Sequence, residues 1–159
     1  MQMTWNSIHR CILFISVICF YSVPTGGNED TSPDVKVELS SQKLSLHVTV
    51  HSRSENRVTL AQWRLPWGRQ QHVMHFVPVD SDGTCFDNDY VAEEYPDYRK
   101  VLINPKGFAS GEIDLQRELP SLSKALKKSD VHLFWVYRAP EELHIAHYSG
   151  GWILILQQK

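Results

Sequence analysis

From Val35 almost to the end of the chain, apolar residues return at every second position, and that period leaves room for little besides β-structure. "VKVEL" sets Val35, Val37 and Leu39 on one side of an extended backbone. "KLSLHVTVHS" turns Leu44, Leu46, Val48 and Val50 inward and Ser45, His47, Thr49 and His51 outward, the pattern of a half-buried strand in an antiparallel sheet. "SRSEN" predicts a turn and "RVTLAQW" the returning strand. "QHVMHFVPV" reads as a further strand, which Pro78 confines to an edge or an end because proline brings no N–H to a ladder.

"DSDG" is a turn signal, "TCFDNDYV" a short strand, and "EEYPDYR" a loop. "KVLIN" and "ASGEIDL" are two more short strands joined by a "PKG" turn. "LPSLSKALKKSD" leaves the period of two. Leu119, Leu122 and Leu126 recur at helical spacing, which predicts one short crossing helix. "VHLFWVYRA" is apolar on both faces, as a central strand should be. "EELHIAHYSGG" then links it to a last strand, "WILIL". Roughly seven to nine short strands with turns between them predict an all-β, antiparallel β-sandwich.

The N-terminal segment stands outside this pattern. Met1–Arg10 is short and polar, "CILFISVICFYSV" is continuously apolar, and "PTGGNED" ends the run with Pro, Gly and charge. Those are the three parts of a secretory signal peptide, and an apolar block of about 13 residues falls short of the ~17–20 that cross a bilayer as a helix. The expected division is a signal peptide over 1–27, a polar leader over 28–33 and one domain over 34–159, with no membrane span once the signal is cut. Lys and Arg number 16 against 18 Asp and Glu; without Arg10 the balance is 15 − 18, or −3. No basic stripe for nucleic acid is present. Of the three cysteines, Cys11 and Cys19 leave with the signal, so Cys85 has no partner for an internal disulfide and packing alone must hold the domain.

Taken in order, the leading pair "VKVELSSQKLSLHVTVHSRSENRVTLAQW", the "LPWG" exit, "FVPVDSDGTCF", "LINPKGFASGEIDL" and "HLFWVYRA" resemble the immunoglobulin-like accessory domains of exported bacterial proteins. Two similar forms are the Ig-like segment preceding deuterolysin-type metallopeptidase modules and the BsuPI-type proteinase-inhibitor domains. Lys106–Gly107 stand where those families often carry L-x-P-G-E. The resemblance implies an immunoglobulin-like sandwich and a secreted or periplasmic protease as partner, which the domain would inhibit or help to fold. It also implies a core position for Trp63, with "LPWG" as the turn that follows.

Chemistry finds little support. A zinc peptidase would need H-E-x-x-H, which is absent. In "GFASG", Ser110 follows Gly107 by three residues where a nucleophile elbow needs two. His47 and His51 share a strand face but stand about 13 Å apart, too far to share a metal. His144 and His147 of "HIAH" offer imidazoles that suit copper or zinc, with His132 or His72 as a third ligand. The acids between Asp80 and Asp97 fail the EF-hand template and read as a turn and a solvated loop. The expected function is therefore a non-catalytic, exported protein-binding domain without a cofactor. Its expected contacts are Leu65, Pro66 and Trp67 in one loop and Tyr90 and Tyr95 in another. A metal-binding domain using His144 and His147 is the alternative.

Overall fold

The computed structural model describes residues 33–40, 43–68, 73–87 and 98–158, all within the unit Pro33–Lys159. The expected signal peptide and nearly all of the polar leader lie outside the described residues. Among the described residues, eight strands run in chain order: β1 (Val35–Leu39), β2 (Ser45–His51), β3 (Val58–Ala61), β4 (Met74–Asp80), β5 (Lys100–Ile103), β6 (Phe108–Asp114), β7 (Val131–Arg138) and β8 (Tyr148–Ile155). Every pairing is antiparallel. Two three-stranded sheets, β1-β2-β6 and β4-β7-β8, are joined by a two-stranded ribbon, β3-β5, so the all-β expectation holds.

The period of two explains the core. In the first sheet Val35, Val50 and Ala109 form one inward row across the three strands, and Leu46 and Ile113 form part of another. In the second, Val131, Leu133, Trp135 and Tyr137 of β7 point inward, with Ile155 and half-buried Ile153 of β8 beside them. All of these belong to, or pack against, one hydrophobic cluster that also takes Leu60 and Ile103 from the ribbon. Burial at about 25 cal/mol per Å² of apolar surface is the main force holding such a cluster together.

Several local expectations change. On β2, Ser45, expected outward, is buried, and β3 pairs with β5 instead of returning beside β2. The crossing helix is two pieces, α1 (Leu115–Glu118) and α2 (Leu122–Leu126). Asp114 caps the first by accepting from the N–H groups of Gln116 and Arg117 at 3.0 and 3.4 Å. Pro120 then forces Leu119 out of the helical region, to φ −134° and ψ 80°, and the chain restarts at Ser121. Leu119, Leu122 and Leu126 are nonetheless all buried, as their spacing requires.

The last strand begins at Tyr148 instead of Trp152, because "SGG" is ladder and not linker. Gly151 stands opposite Trp135, and a Cβ there would meet the indole at 3.0–3.1 Å; glycine is what lets the ring lie flat against the strand.

Trp63 is not the core tryptophan. It lies half-buried in a 3-10 turn over Gln62–Arg64, with the Arg64 guanidinium 6.0 Å from its ring centre. Trp135, 8% exposed on β7, fills the interior. The strand reaching Trp63 ends at Ala61, so the indole never enters the inward row.

Candidate functional site

The same register that fills the core places a second set of side chains on the opposite face of β4-β7-β8. Val77, Phe134 and Trp152 form one row across the three strands, and Val79, His132 and Leu154 the next. His75, Val136 and Gly150 complete the row on the other side, and Tyr148 stands beside Arg138. Cys85, half-buried, bridges Val79 and extends the second row past β4. Trp152 is 61% exposed, Tyr148 62% and Leu156, just past β8, 64%. Val77, Val79, Phe134 and Val136 are half-buried by one another. The His132 ring leans on Trp152 with centroids 5.8 Å apart.

From the strand spacing these rows, with their two histidines and Gly150, cover roughly 300 Å² in projection, about the size of the largest apolar patch on an ordinary monomer. None of the outward positions on β4, β7 or β8 is a carboxylate; the ionisable side chains there are His75, His132, Arg138 and Tyr148.

The residues singled out from the sequence lie elsewhere. Leu65 has no exposed surface and Pro66 is buried, so both serve the core and neither can meet a partner in this conformation. Trp67 is half-buried against the core, its indole lying over Gly111 of β6 where a Cβ would otherwise be. The "LPWG" turn is thus a plug over the inner face of the first sheet. Tyr90 and Tyr95 lie outside the described residues.

His144 and His147 are exposed, and His147 stacks edge-on against Tyr148 with centroids 4.6 Å apart. Among the described residues no three His, Cys, Asp or Glu side chains converge to hold a metal ion. Asp80 closes its own turn by accepting from the N–H groups of Asp82 and Thr84 at 3.0 and 2.8 Å, and Asp87 accepts from Ser121 N–H at 2.6 Å. Ser110 faces outward from β6 opposite Thr49, on a strand and not at the tip of a turn.

Among the described residues, two titratable groups are displaced by their surroundings, and both are structural. Burial pushes the Tyr137 hydroxyl far above its usual range, with Arg64 opposing, and its O–H reaches the Arg64 carbonyl at 3.4 Å. Glu142 is held below the usual carboxylate range, first by its hydrogen bonds from Arg64 at 2.6 and 2.9 Å. That pair ties the 3-10 turn at Gln62–Arg64 to another at Glu141–Leu143.

The outer face was visible in the sequence only as a surplus. "VHLFWVYR", "MHFVPV" and "WILIL" are apolar in both registers, which predicts cover on both sides. The inner residues find it; Trp152, Leu154 and Tyr148 do not. Comparison with family models, with curated proteins and with solved structures finds no match to the chain.

Proposed function

We propose that the protein is a non-catalytic, exported protein-binding domain with an immunoglobulin-like sandwich, and that it docks its partner on the outer face of β4-β7-β8. Strand order supports the architecture. If β4 and β5 are taken as strands C and D, the orders β1-β2-β6 and β4-β7-β8 correspond to A-B-E and C-F-G of an immunoglobulin constant-type domain. β3 is then an addition, and β5 pairs with it.

The observation that carries the binding reading is the apolar outer face, with Trp152 at 61% exposure over half-buried Phe134. A large aromatic beside shielded aliphatics is the composition of an interface centre. With His75, His132 and Arg138 as its polar members, the face fits an apolar surface bordered by acidic groups. The resemblance to protease-inhibitor domains makes an exported protease the partner class, inhibited or assisted in folding by the contact.

The test is co-purification of the tagged full chain from the export compartment of its native host, beside Trp152→Asp and Phe108→Asp variants. A protease retained by the parent and by Phe108→Asp, but lost from Trp152→Asp, supports the reading. A partner retained equally by all three places the contact elsewhere, and the absence of any enriched protein removes the proposal.

A further inference from the structure

We infer that β8 pairs edge to edge with β8 of a second copy of this chain, antiparallel, making one six-stranded sheet across a two-fold axis. The direction of the backbone groups follows from bonds just beyond the strands. Ala139 N–H donates to His147 C=O at 2.8 Å, so the odd-numbered residues of β8 bond β7. Tyr148, Gly150, Trp152 and Leu154 therefore aim their N–H and C=O groups at the open edge. β1 passes near β8, but no backbone hydrogen bond joins the two.

The edges at β4 and β1 are guarded. Asp80 N–H donates to Thr84 C=O and Phe86 N–H to Pro78 C=O, so the returning chain covers β4. Pro78 also presents no N–H on that side, and β1 is short and carries Lys36 and Glu38. β8 lacks the side-chain protections of such an edge: its eight residues include no charge and no proline.

A second copy fits this edge better than an arbitrary strand because the edge is complementary to itself. With Gly151 on the two-fold axis, Tyr148 stands opposite Leu154 of the second copy, and Trp152 opposite Gly150. Each edge residue exchanges both backbone bonds, and each indole lies over a glycine, an arrangement that shields the bare backbone. Two uncharged strands meet without like-charge repulsion. The pairing is made by backbone groups at the rim but shares Trp152 and Leu154 with the proposed partner surface; the mass of the purified chain reads the pairing with no partner present, so failure of one reading is distinguishable from failure of the other.

Sedimentation equilibrium of protein purified from expression of the full chain, over a hundredfold range of concentration, tests the inference. The average mass should rise towards twice the monomer. Leu154→Pro removes an edge N–H without touching the β7 ladder and should stay monomeric over that range with an unchanged circular dichroism spectrum. A Tyr148→Cys, Leu154→Cys double variant should cross-link to dimer on mild oxidation, well above the parent and above either single variant. This second measurement decides the matter should the proline variant fail to fold. A monomer at every concentration, or a dimer in which the cysteine pair does not cross-link above the parent, overturns the pairing.

Discussion

The two three-stranded sheets bury the same kind of inner face and present opposite kinds of outer face. On β1-β2-β6 the outward residues are Lys36 and Glu38, then His47, Thr49 and His51, then Ser110 and Glu112, with Phe108 as the one large apolar side chain. Lys36 and Glu38 pair at 2.9 Å, and His51 shields one side of Phe108 with ring centroids 5.7 Å apart. On β4-β7-β8 the corresponding positions hold Val77, Val79, Phe134, Val136, Trp152 and Leu154, with His75, His132, Arg138 and Tyr148 as the polar members. Water satisfies the first set and gains nothing from the second. A sheet exposed on one side needs only alternation, so the unalternated strands of the second sheet carry apolar surface beyond what this fold uses.

Substitutions on neighbouring residues of β7 give the hardest test of that difference. Leu133→Ala empties a fully buried inner position and should cost about 2–5 kcal/mol in chemical denaturation. Phe134→Ala, one residue on, should cost less than half as much, because the outer face lacks the inner face's packing. Equal losses would mean that the outer face is a second core. Gly111→Val comes next: its side chain must displace the Trp67 indole from the inner face of the first sheet, for a loss of about 1–3 kcal/mol. A neutral result would remove Trp67 from the core.

Exchanging the exposed aromatics sharpens the contrast without threatening the fold. Trp152→Ser and Phe108→Ser should each change stability by no more than about 1 kcal/mol. Only Trp152→Ser should lower the fluorescence of a bound hydrophobic dye markedly. Matching decreases would make the two outer faces equivalent.

The smallest effect belongs to the Arg64–Glu142 pair, away from both faces. The folded pKa of Glu142 is lowered, so its contribution is present above the unfolded carboxylate range and is lost as pH falls through the folded value. With the Glu142 side chain 48% exposed, solvent screening leaves about 0.5 kcal/mol at most. Glu142→Gln should therefore lower the melting temperature slightly near neutral pH and not at all on the acid side of the carboxylate range.

How far the sequence could be read depended on whether the signal was local. The alternation in "KLSLHVTVHS" predicts the inward residues of β2 and three of its four outward ones, since strand geometry alone sends successive side chains to opposite sides; Ser45, expected outward, is 7% exposed. Pro78 announces an edge strand, and β4 is one, for the equally local reason that a missing N–H cannot serve a central ladder. Trp63, expected in the core, is half-buried in a 3-10 turn after Ala61, and Trp67, expected as a contact, packs half-buried against the core. Leu65 and Pro66, read as contacts from their position in a turn, fold inward with it.

By itself, the sequence determined an all-β antiparallel chain, the positions of most strands and the inward residues of β1 and β2, because these follow from a period written into consecutive residues. Only the tertiary structure decided which tryptophan fills the core, which strands lie side by side, and which doubly apolar sheet keeps one face uncovered. Those outcomes depend on contacts between residues far apart in the chain. Whether Phe134 and Trp152 find a second layer is set by what the rest of the fold places above them, and no local pattern records that.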